Sequence, residues 1–117
     1  MHRLVLSACL CLVVACGGGD GDTGPIPATN KLYDVFTVGD AFSPSFLTIA
    51  AGDTVRFNFA GGSDGMGHDV TFNAVAGAPA NVNVTKSGTA SRVFRSRGTF
   101  HYNCFVHPGM SGDVTVQ

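Results

Sequence analysis

Three residues near the C-terminal end carry donor atoms of a related kind. In Tyr102-Asn103-Cys104-Phe105-Val106-His107-Pro108-Gly109-Met110, a cysteine, a histidine and a methionine follow one another at spacing C-x2-H-x2-M. Thiolate, imidazole and thioether are the ligands a soft transition metal prefers. Pro108 fixes its own φ and restricts His107, while Gly109 reaches conformations closed to other residues, so the turn between the donors is tight and stiff. A loop with these three still lacks one strong donor. His68, 36 residues before Cys104 and at the head of His68-Asp69-Val70-Thr71-Phe72, supplies it. Two imidazoles and one thiolate in a plane, with a weakly bonded axial thioether, are the donor set of a blue-copper centre. Met66, in the glycine-rich run just before His68, is a rival axial donor.

The elements that must hold these donors read as strands. From Tyr33 onward the apolar spacing is two, and no stretch has convincing helical spacing. Val55, Phe57 and Phe59 alternate with Arg56 and Asn58; Val70 and Phe72 alternate with Asp69 and Thr71; Val82 pairs with Val84, and Val114 with Val116. Phe100 and Tyr102 alternate with His101 and Asn103 and lead into Cys104, which puts His101 on the opposite, solvent-side parity from the donor. The segment 73–81 reads as a loop or a single helical turn. Short strands between turn signals predict an all-β sandwich or barrel.

Composition agrees and narrows the function. All eight acidic residues are Asp, Gly occupies 16 of 117 positions and Trp is absent, a balance that favours strands and turns over helices. With 44% hydrophobic and 13% charged residues, the chain has the composition of one globular domain with a core. The net charge is −1 and the seven Lys and Arg residues are scattered, which leaves no footprint for nucleic acid. Arg92, Arg95 and Arg97 read as a solvated strand face rather than a docking patch.

The N-terminus reads as an address. Met1-His2-Arg3 precedes the apolar run Leu4 to Val14, which is too short to span a bilayer as a helix and suits an export signal. The run ends in Val13-Val14-Ala15-Cys16, which resembles the lipobox of bacterial lipoproteins. That resemblance implies a signal peptide over residues 1–15 and a lipid on Cys16. Cys9 and Cys11 leave with such a signal, so Cys104 has no disulfide partner in the folded domain. Residues 16–30, rich in Gly, Asp and Pro, read as a tether of about 20 Å typical reach. The copper-binding domain is expected over residues 31–117.

The donor set and its surroundings together resemble the cupredoxins, the small blue-copper family that includes plastocyanin, pseudoazurin and amicyanin. The resemblance runs through Phe42-Ser43-Pro44, Leu47-Thr48-Ile49, Gly52-Asp53-Thr54-Val55, His68-Asp69-Val70, Gly98-Thr99-Phe100, the ligand loop and Met110-Ser111-Gly112, with the loop most like that of amicyanin. It implies a Greek-key β-sandwich or barrel of the cupredoxin type. It also implies one mononuclear type 1 copper on His68, Cys104, His107 and Met110. Two departures stand out. The residue after the first histidine is often Asn in that family and here is Asp69, and the strand before it ends Phe57-Asn58-Phe59 rather than aromatic-x-Asn. An ionised carboxylate can only accept hydrogen bonds, so the surroundings of the metal differ more than its ligands.

The resemblance implies a one-electron carrier cycling between Cu(I) and Cu(II), not an enzyme. His107 would be the electron port, rimmed by Phe105, Val106, Pro108 and Met66. The expected partner is a redox protein such as a cytochrome c or a periplasmic or membrane oxidoreductase, met by a monomer anchored through its lipid on the periplasmic side of a membrane or at the cell surface. A second reading is copper delivery, buffering or storage. Such sites are often Met-rich, whereas only Met66 and Met110 lie beyond the leader. Zinc could occupy the same donors. A copper oxidase or reductase ranks last, because the chain has no further His-x-His motif.

Overall fold

The computed structural model describes residues 29–117; the leader, Cys16 and the tether up to residue 28 lie outside the described residues. Nine strands form among the described residues: β1 Leu32–Val38, β2 Ala41–Ser43, β3 Phe46–Ile49, β4 Thr54–Phe59, β5 His68–Phe72, β6 Val82–Thr85, β7 Gly88–Val93, β8 Gly98–Asn103 and β9 Ser111–Val116. They make a four-stranded sheet in the order β2-β1-β4-β7 and a five-stranded sheet in the order β3-β9-β8-β5-β6. Pairing is mixed: β1 runs parallel to β4 and β3 parallel to β9, and the other ladders are antiparallel. Segment 73–81 is a loop without a helix.

Period-two alternation explains where the core sits. In β4, Val55, Phe57 and Phe59 point inward and are buried, while Thr54, Arg56 and Asn58 are half-exposed. In β9 the inward set is Gly112, Val114 and Val116. The sheets close on an aromatic cluster in which Tyr102 meets Phe42, Phe57 and Phe72 edge to face, with centroids 4.9, 5.4 and 5.7 Å apart. Such packing adds orientation to the burial of large apolar area. One buried polar residue is Asp53, fully buried at the turn into β4. Its carboxylate accepts the Thr29 hydroxyl and the main-chain N–H groups of Lys31 and Ala50, the latter two at 2.9 and 3.0 Å.

Two expectations are corrected here. Val82 is buried but Val84 is exposed, although their spacing places them on one face. The β5–β6 register shifts by one residue between the His68–Thr85 and Val70–Val82 pairs, and this bulge reverses the parity of β6. Arg92 is not merely solvated: its guanidinium donates to the carbonyls of Ala80 and Asn81 at 2.6 and 2.7 Å, tying β7 to the loop before β6.

Candidate metal centre

The β5–β8 ladder pairs Thr71 with Asn103 and Phe72 with Tyr102. Continued in the same register, it brings the head of β5 against the end of β8, so that His68 reaches Cys104 across the sheet. The segment from Cys104 to Met110 is the connection between β8 and β9. It is closed by the Cys104 N–H on the Met110 carbonyl at 2.9 Å and by the Met110 N–H on the His107 carbonyl at 3.1 Å. Gly109, at φ 89°, makes the reversal that returns Met110 to the loop base. His68, Cys104, His107 and Met110 are all buried.

The donor atoms of His68, Cys104 and His107 lie within 4.8 Å of one another. Cys104 Sγ stands 3.9 Å from His68 Nδ1 and 3.7 Å from His107 Nδ1. An ion bonded at about 2.3 Å to sulfur and about 2.0 Å to nitrogen in a trigonal plane requires S–N separations of about 3.7 Å. The edges fit. Met110 is buried in the apolar core beside Cys104, and its main chain hydrogen-bonds both Cys104 and His107. Met66, the rival axial donor, is 52% exposed and lies on the rim. His101 is apart from the site, on the outer face, with Nδ1 2.8 Å from Asp113.

Electrostatics suit a cation. Burial pushes the His68 imidazole below the ordinary histidine range and neighbouring His107 adds to this, against the opposing pull of Asp40, Asp64 and Asp69. His68 therefore stays neutral near pH 7, with a lone pair to give. Burial pushes the Cys104 thiol up. Without a metal it holds its proton, and coordination removes it.

Sequence reasoning missed the carboxylates around the histidines. His107 Nε2 faces Asp64 at 3.2 Å and Asp40 at 3.4 Å. Neither residue had a sequence signal, since each is an Asp in a turn, where Asp is common. His68 Nε2, by contrast, is the one buried side-chain nitrogen or oxygen among the described residues without a hydrogen-bond partner. Asp69, noted as a departure, is buried. One of its oxygens accepts the N–H groups of Phe105 and Val106 at 2.8 and 3.3 Å and the other the Thr71 hydroxyl at 2.8 Å, an acceptor's role throughout.

Comparison with known proteins points the same way. Residues 37–117 match the family model described as copper binding proteins, plastocyanin/azurin family. Plastocyanin A/B of Petroselinum crispum is 32% identical over 90 residues, which cover 67% of this chain and 89% of the plastocyanin. An oxidised methionine-to-leucine variant of amicyanin superposes with a TM-score of 0.62 at 29% identity, over 72% of this chain and 80% of that one. A Cu(I) methionine-to-glutamine variant of amicyanin gives 0.62 at 28% identity, over 78% and 87% of the two chains. A small all-β sandwich with a buried His–Cys–His–Met cluster at one end defines a cupredoxin. The chain belongs to the plastocyanin/azurin family of copper-binding proteins, and copper is its cofactor.

Proposed function

We infer that this protein is an exported one-electron carrier whose single type 1 copper is held by His68, Cys104, His107 and Met110. The observation that carries the reading is the pair of S–N edges, 3.9 and 3.7 Å, among three buried donors. Bound copper supplies one-electron exchange between Cu(I) and Cu(II). The protein's part is to hold the donors still: Cys104 at a strand end, His68 on the neighbouring strand, and His107 and Met110 in a hairpin loop cross-linked through its own main chain. Fixed donors lower the rearrangement that each electron transfer costs.

His107 is the ligand nearest the surface, and beside it Phe105 is 74% exposed. An exposed aromatic side chain beside the port suits brief docking of a redox protein such as a cytochrome c or a periplasmic or membrane oxidoreductase, since weak redox encounters use small interfaces. The chain works as a monomer. The leader and lipobox support export and a lipid anchor at Cys16, with residues 16–30 as the tether between membrane and domain 31–117.

The test is an optical and EPR titration of the full chain with Cu(II). An intense blue thiolate-to-copper band with narrow copper hyperfine splitting, saturating at one equivalent, is expected, and Cys104→Ala should stay folded and colourless. A colourless wild type would overturn the electron-carrier reading in favour of copper delivery or zinc. A blue Cys104→Ala would overturn the ligand set.

A further inference from the structure

The two imidazoles are braced unequally. His68 Nε2 is buried with no hydrogen-bond partner, whereas His107 Nε2 faces two carboxylates, with the Asp64 oxygens at 3.2 and 3.3 Å and Asp40 Oδ1 at 3.4 Å. Those carboxylates are themselves held. Asp64 accepts the Met66 N–H at 2.8 Å, and Asp40 accepts the Ser63 N–H and hydroxyl at 3.2 and 2.8 Å. The segment between Ala60 and Gly67, which reads in the sequence as a flexible glycine-rich loop, is tied across itself by Gly62 N–H on the Met66 carbonyl at 2.7 Å and Gly65 N–H on the Gly62 carbonyl at 2.9 Å.

Gly62 shows that the approach is built in. A Cβ there would stand 2.8 Å from both His107 Cε1 and Nε2 and 3.0 Å from Asp64 Oδ1. Only a residue without a side chain lets the imidazole and the carboxylate close on each other. The loop thus delivers an acceptor to the ring nitrogen opposite the one that faces Cys104, the arrangement by which outer carboxylates fix the tautomer and orientation of metal-bound histidines.

We propose that Asp64, backed by Asp40, is a positioning residue for His107: it accepts the Nε2–H, keeps the Nδ1 lone pair on the copper, and by its charge favours Cu(II) over Cu(I). This rests on the electron-carrier reading for its consequence but not for its geometry. The electron port is therefore anionic on the Asp40–Asp64 side and apolar on the Phe105 side.

The test uses the full chain as wild type, as Asp64→Asn and as the double variant Asp40→Ala/Asp64→Ala. Asn keeps an acceptor and loses the charge; the double variant loses both acceptors. In the metal-free protein, nitrogen-15 NMR of the ring should show the Nε2–H tautomer of His107 in the wild type and in Asp64→Asn, and a mixture in the double variant. In the copper form, the balance should shift about threefold toward Cu(I) in Asp64→Asn, about 28 mV for one electron, and further in the double variant. Wild-type tautomer and potential in both variants would overturn the proposal. So would a shifted potential with an unchanged tautomer in the double variant, which would reduce Asp64 to a bare charge. Because the tautomer is read without metal, a wild type that fails to turn blue defeats the electron-carrier reading and leaves the positioning role to be decided by the NMR alone.

Discussion

One oxygen of Asp69 accepts the main-chain N–H of Phe105 at 2.8 Å, joining the strand of the first ligand to the loop that carries the others. Asp69 is buried, and the same oxygen takes the Val106 N–H at 3.3 Å. A carboxylate does here what an amide oxygen could do as well, with one difference: it leaves a negative charge beside Cys104. That charge adds to burial in holding the thiol up.

Asp69→Asn should therefore keep the loop and remove the charge. The amide oxygen can accept from Phe105, and the Thr71 hydroxyl can turn to accept from the new NH2. The copper form should stay blue with a higher reduction potential, by roughly tenfold in the Cu(I)/Cu(II) balance, or about 59 mV. The metal-free thiol should titrate lower than in the wild type, because a neutral neighbour opposes the thiolate less. Asp69→Ala should instead cost about 1 kcal/mol in chemical denaturation by leaving the part-buried Phe105 and Val106 N–H groups without their acceptor. Equal potentials for wild type and Asp69→Asn would remove the charge from the account.

Gly112 on β9 pairs with Tyr102 on β8, and the phenol of Tyr102 lies over its Cα. A Cβ at residue 112 would stand 2.3 Å from the Tyr102 hydroxyl oxygen, 2.4 Å from Cζ and 2.9 Å from the Ser45 carbonyl. Tyr102 is locked among Phe42, Phe57 and Phe72 and cannot yield. Gly112→Ala should destabilise the domain by about 3 kcal/mol. Tyr102→Phe in the Gly112→Ala background should recover part of this, since it removes the nearest atom. No recovery in the double variant would mean that the Ser45 contact decides the cost.

The strands and the donors were legible in the sequence for the same reason: both are local. Alternation of period two follows from strand geometry alone, so β4, β5, β8 and β9 announce themselves, and C-x2-H-x2-M after an alternating run places three donors at a strand end. Where pairing breaks its own register the rule fails, and Val84 turns outward because of a bulge that no residue of β6 announces. The carboxylates on His107 were not legible either. Asp40 lies just beyond β1 and Asp64 in the loop before β5, and only the closed sandwich brings the two turns to one imidazole. Asp69 was legible as a residue type limited to accepting hydrogen bonds, but not its main-chain donors, which come from 36 and 37 residues away.

Cys16 carries the expectation of a membrane anchor. Cys16→Ser, expressed with the native leader, should move the protein from the membrane fraction to the soluble fraction of the exported material, with its copper colour unchanged. Mass spectrometry of the wild type should show a diacylglycerol on residue 16 as the new N-terminus. A soluble, unlipidated wild type would defeat the lipobox reading while leaving the copper domain untouched.

Asp53 is expected to set the acid limit of the fold. Its carboxylate is fully buried, and burial alone would raise its pKa; the donors at Thr29, Ala50 and Lys31 outweigh this and hold it below the ordinary carboxylate value. A group whose pKa is lower in the folded than in the unfolded chain contributes stability above its unfolded value, about 4, and loses it as pH falls through the folded value. The melting temperature of the metal-free protein should therefore fall steadily below about pH 4. Asp53→Asn keeps one acceptor for the cluster and cannot titrate, so it should start less stable at neutral pH and flatten the acid limb. Asp53→Ala leaves three part-buried donors, on Thr29, Lys31 and Ala50, without their acceptor and should cost about 2 kcal/mol at neutral pH. An acid limb of wild-type steepness in Asp53→Asn would assign the acid sensitivity to another carboxylate, with Asp34, held low by Arg56 and Asn58, the next to replace.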